Sequence, residues 1–140
     1  MLRIISRWWA RLSYLWTLEV EAEKNLINAA TAKRNAEEKR ALVAKLNAEA
    51  DAIEQNVKQV ESEEEERKKG EDYLKLSDKE KYEDERASKK EKDGALQMIA
   101  EKRKLAQEEA KNVSNAEQVA QVLRGRAADS RSFADKIRQI

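Results

Sequence analysis

The sequence has no cysteine, no histidine and no proline, and its 140 residues include only three glycines, Gly70, Gly94 and Gly125. Each absence removes a class of behaviour. Without cysteine there is no disulfide framework, no thiolate nucleophile and no zinc-thiolate site. Without histidine the commonest general base near neutral pH and the commonest metal ligand are gone. Serines such as Ser6, Ser62 and Ser114 have no imidazole to activate them, and no glycine-rich phosphate loop occurs. The expectation is a protein that is not an enzyme, with no catalytic residue, metal site, cofactor or small-molecule substrate. Without proline, little stops a helix. No apolar run reaches the roughly 18 residues of a membrane-crossing helix.

What is present is charge. Charged residues make up 41% of the chain, too many to leave side chains for a thick globular core. An Ala/Glu/Lys/Arg/Leu-rich composition marks long or coiled helices; disorder has a similar composition but need not keep a periodicity. Lys plus Arg number 29 against 28 for Asp plus Glu, so net charge points to no polyanionic partner. The distribution says more. Residues 1–18 carry Arg3, Arg7 and Arg11 and no acid, 121–140 are basic, and 61–93 lean acidic. The basic C-terminal stretch has no aromatic stacking platform beyond Phe133, so no nucleic-acid partner is expected.

On a wheel of about 100° per residue, residues 2–18 separate into two faces. One collects Leu2, Ile4, Ile5, Trp8, Trp9, Leu12, Leu15 and Trp16, including all three tryptophans of the protein. Arg3, Arg7 and Arg11 form a ridge on the other. Such a helix suits the headgroup boundary of a bilayer, with aliphatics and indoles in the acyl margin and arginines reaching anionic phosphates. These eleven residues are the candidate contacts to an anionic phospholipid membrane. A protein groove accepts the same face, and a mitochondrial transit peptide shares its Arg-rich, acid-free character.

From Ala29 an apolar 3–4 spacing runs on through Val43, Leu46, Ile53, Val57 and Val60. A second series includes Ile99, Val113, Leu123 and Ile137. Beside it Met98, Leu105, Val119, Phe133 and Ile140 lie at multiples of seven residues. Sustained heptads predict helices winding on partner helices. Ser77-Asp78-Lys79-Glu80 reads as a capping box just past Gly70, which puts a bend near 70–78. Positions whose numbers add to about 155 then face one another, so that Val60 meets Ala95 and Leu18 meets Ile137. A straight helix pairing only with other copies is the alternative. Ser114-Asn115-Ala116-Glu117 is a second capping box and a candidate break.

The predicted fold is all-α: a short amphipathic membrane-surface helix, 1–18, followed by a long antiparallel coiled-coil hairpin, 19–140. This layout resembles the phage-shock-protein A and ESCRT-III-like membrane-remodelling family, with Leu2–Leu18 matching its first helix and 19–76 and 77–140 its hairpin arms. It departs from that family in lacking a proline between the two and in being too short for the later helices. The resemblance implies a first helix that engages membrane and hairpins that stack to protect or remodel it. The expected function is that of a peripheral membrane protein, on a cytoplasmic or mitochondrial membrane face. It self-assembles as a homo-oligomer and reads anionic lipid. The alternative is a structural subunit or adaptor of a larger membrane-associated complex, bound to helical partner subunits with the N-terminal helix packed on protein.

Overall fold

A computed structural model describes residues 2–140, the side chain of Leu2 excepted. The fold is all-α. Helix α1 spans Leu2–Lys69, the single turn α2 Glu71–Leu74, and helix α3 Asp78–Gln139, with no strand among the described residues. Helix α1 packs against α3.

The expected end of a first helix at Leu18 is not there. No proline, glycine or capping pattern interrupts 19–28, so α1 runs on without a joint, and Leu18 is itself buried. The second capping box is also unused: α3 continues through Ser114–Glu117. The bend near 70–78 does form. Gly70 leaves the helix with extended backbone (φ −74°, ψ 154°), and its N–H donates to the Arg67 carbonyl at 3.0 Å. Arg67, Lys68 and Lys69 in the last turn of α1 and Asp78 and Glu80 in the first turn of α3 both suit the helix dipoles. Ser77 Oγ accepts from the Glu80 N–H at 3.2 Å, satisfying one of the donors that a helix start leaves unpaired. Replacing Ser77 with alanine is expected to cost about 1 kcal/mol, read as a lower midpoint in thermal unfolding followed by circular dichroism.

The chain divides into two units, residues 41–110 and residues 1–40 with 111–140. In the first, the two helices run antiparallel on either side of the bend. Arg67 forks onto the Asp84 carboxylate with bonds of 3.1 and 2.6 Å. Lys92 pairs with Glu61, Ser88 donates to Glu64, Lys102 reaches Glu49 at 2.6 Å and Arg103 reaches Glu54 at 2.6 Å. These hydrogen bonds hold the Asp84 and Glu49 carboxyls below the usual carboxylate range, and Glu61 raises the Lys92 ammonium. Ala50, Ile99 and Ala106 are buried; Val43, Leu46, Ile53 and Val57 are half-buried. Val60, expected on the seam, stays 48% exposed. It shares a groove of 440 Å³ with Ala95, Ile53 and Val57. Ala95 and the ion-paired Lys92 offer it too little apolar surface to close that gap.

In the other unit the pairing is again antiparallel. Glu19 pairs with Arg138, Arg40 with Glu117, and the Tyr14 and Phe133 rings meet edge to face at 6.1 Å. Leu18, Val113 and the alanines 22, 29, 36, 120, 127 and 134 are buried, while Leu123 and Ile137 are half-buried. The register set by the two ion pairs brings Ala22 opposite Ala134, Ala29 opposite Ala127 and Ala36 opposite Ala120. Across both units, eight of the eleven buried apolar residues among those described are alanine. A methyl contributes only about 0.8 kcal/mol when buried, so stability is spread thinly over many layers.

Candidate functional site

The N-terminal turns of α1 present large apolar side chains to solvent. Ile4, Ile5, Trp8, Trp9, Leu12 and Trp16 are between 40% and 73% exposed. Trp8 and Trp9 meet edge to face with centroids 5.7 Å apart. Leu2 is helical, but its side chain lies outside those described.

Two residues of the expected site belong elsewhere. Leu15 is half-buried on the seam, and Arg11 turns toward α3, where its guanidinium donates to the Ile137 carbonyl. That carbonyl lies in the last turn of its helix, where it also accepts from the Ile140 N–H at 3.3 Å, and the negative end of the helix dipole favours a cation there. The reason is positional. Arg11, Leu15, Leu18, Ala22, Asn25 and Ala29 keep the same 3–4 spacing as the seam downstream, so the heptads begin well before Ala29. The signal was present in the spacing, masked by a charged residue at a seam position.

The packed helices give this surface two distinct flanks. Leu12 and Trp16 lie seven and three residues before Glu19, on the flank where Glu19 meets Arg138. Ile5 and Trp9, each one heptad before one of them, share that flank. Arg7 lies one heptad before Tyr14, on the opposite flank, where Tyr14 meets Phe133, and Arg3 shares that side. Ile4 and Trp8 prolong the seam line. Only Arg3 and Arg7 therefore remain of the expected exposed ridge, across the helix from the tryptophans.

Comparison with protein-family models, with curated proteins and with solved structures gives no match. The chemistry of the surface must therefore be read from the residues themselves.

Further along the tryptophan flank the two helices leave a groove of 190 Å³ lined by Lys33, Glu37, Arg40, Glu117, Gln121 and Arg124 over Ala36 and Ala120. Arg40 and Glu117 pair across it. Lys33 and Arg124, one heptad away on each helix, face each other with like charge. Composition alone could not have found this feature, since it needs the register of both helices.

On α3, Met98 and Leu105 in one unit and Val119, Phe133 and Ile140 in the other are about half-exposed or more. This is the second apolar line at multiples of seven; Phe133 meets Tyr14 of α1 edge to face, and the other four residues stay open to solvent. Among the described residues, no His, Cys, Asp or Glu side chains are grouped as a metal ion requires, and no helix is long and apolar enough to cross a membrane.

Proposed function

We propose that this is a non-enzymatic peripheral membrane protein that lies on anionic phospholipid through Ile5, Trp9, Leu12 and Trp16, with Ile4 and Trp8 beside them. It self-assembles through coiled-coil helices to coat, protect or remodel the bilayer, on a cytoplasmic or mitochondrial face, as the phage-shock-protein A resemblance implies. The carrying observation is the exposure of six large apolar residues, three of them tryptophan, on contiguous turns of one helix. Water penalises such a patch, and a headgroup boundary accommodates both the indole N–H and the ring. An alanine seam that buries little area per layer supports the assembly part, because further copies add layers.

A second reading has its own observation. Val119 and Ile140, exposed on α3 in the unit of residues 1–40 and 111–140, suit another heptad-bearing helix, which fits a structural subunit held among helical partners.

Co-sedimentation of the full chain with vesicles tests the first reading. Phosphatidylserine-containing vesicles are expected to pellet it, and pure phosphatidylcholine vesicles to leave most of it in solution. A chain that stays in solution with both kinds overturns the lipid reading and leaves the partner-subunit reading standing.

A further inference from the structure

We propose that a second copy of this chain packs along α3, with the two α3 helices antiparallel about a two-fold axis that passes between Arg126 and Asp129. This rests on the self-assembly half of the reading above, names its surface, and is independent of the lipid half.

The surface is a second 3–4 spacing on α3. Val119, Val122, Arg126, Asp129, Phe133 and Lys136 follow one another at steps of three and four residues, so they line one stripe of the helix. All six are exposed, and Val119, Val122 and Phe133 keep about half of their surface open. Pairing with α1 uses a different stripe, Val113, Ala120, Ala127 and Ala134, which is buried. Phe133 meets Tyr14 of α1 at one ring edge only. The tryptophan strip lies on the other flank, marked by the Glu19–Arg138 pair, and is left open.

A heptad stripe suits a helix, and its charges say which one. Arg126 and Asp129 are neighbours of opposite sign whose charged groups find no partner among the described residues. A two-fold axis between them lays one copy reversed on the other. Arg126 of each copy then faces Asp129 of the other, giving one ion pair on either side of the axis. Phe133 faces Val122, a large ring against a short side chain, and the stem of Lys136 covers Val119 while its ammonium stays in water. Parallel helices in register would set Arg126 against Arg126 and Asp129 against Asp129. Along this length α1 adds Glu21, Asn28 and Asn35 to the flank, so Arg126 and Lys136 are balanced by Asp129 and Glu21. Two copies therefore meet without a net repulsion.

Gly125 is the independent observation. It lies inside α3 with no positive φ, and a Cβ added there would meet nothing. Within one copy it weakens the helix with no return in packing. Beside the axis it comes opposite Ser132 of the second copy, where two small residues let the helices approach closely.

Analytical ultracentrifugation of the full chain without lipid tests the surface. The parent is expected to sediment as a dimer or larger at micromolar concentration. Arg126→Glu and Asp129→Arg each turn both symmetry-related attractions into repulsions, and each is expected to weaken association at least about tenfold. Mixing these two variants, or combining them in one chain, restores opposite charges at both contacts and should return association to within about threefold of the parent. Gly125→Leu should melt at or above the parent in dilute solution, because leucine favours the helix, yet associate about tenfold more weakly because the side chain holds the helices apart. Circular dichroism spectra of the charge variants should match the parent, since both side chains are exposed.

If the parent associates and the single charge variants associate as tightly, or if mixing restores nothing, this surface is wrong while self-assembly stands. A parent that is monomeric throughout overturns the self-assembly reading and this surface together, and leaves the stripe to the helix of a different protein.

Discussion

A chain carrying Trp9→Glu and Trp16→Glu together should bind phosphatidylserine-containing vesicles at least about a hundredfold more weakly, on the rule that each large apolar side chain buried contributes roughly 1.5–3 kcal/mol. Both rings are more than 60% exposed on the flank away from the seam. Neither helix packing nor helicity depends on them, so the far-ultraviolet circular dichroism spectrum should be unchanged. Trp8 remains as the reporter, and the blue shift of its emission on adding vesicles should vanish. The paired conservative variant, Trp9→Phe with Trp16→Phe, keeps ring area while losing the indole N–H, and should retain most of the binding. Undiminished pelleting of the glutamate variant would show that the strip is not where the protein meets lipid.

The second large effect concerns the seam. Ala29 is 1% exposed and the register brings it opposite Ala127, which is equally buried. A glutamate at position 29 must either part the helices or bury its charge, at a cost of about 2–4 kcal/mol. In a protein whose layers each contribute little, that is a large share of the total. Urea unfolding should show a midpoint shift large enough to be plain in a single titration, together with reduced helicity at zero denaturant. Ala30 is the internal control. It is the next residue and exposed, so Ala30→Glu should change stability by no more than about 0.5 kcal/mol. Matching midpoints for Ala29→Glu and Ala30→Glu would mean that the alanine layers do not hold the helices together.

The helical class, the bend and the register were legible because they depend on local and periodic signals. Gly70 and Ser77 are short-range signals, and alanine at 3–4 spacing over many turns leaves little freedom in how α1 meets α3. Two features were not legible from single residues. The continuity of α1 past Leu18 was hidden by the change from tryptophan-rich to Ala/Glu-rich sequence, which reads as a boundary although nothing in 19–28 breaks a helix. The role of Arg11 was hidden for a related reason. On a wheel confined to 2–18 it groups with Arg3 and Arg7, and only the longer heptad places it on the seam. Val60 shows the converse. It fits the spacing, but its partner side supplies Ala95 and Lys92, and spacing on one helix says nothing about the volume opposite. The like-charged Lys33 and Arg124 required both helices in register before they could be seen as neighbours.

The unbroken run of α1 from the tryptophans into the alanine layers governs how the unit of residues 1–40 and 111–140 can dock. No swivel separates the strip from the layers, so the azimuth of the indoles is locked to that of α3 before any encounter. On the proposed reading, adsorption is a rotational search by the whole unit, followed by one landing pose, in the manner of a keel and not of a hinged paddle.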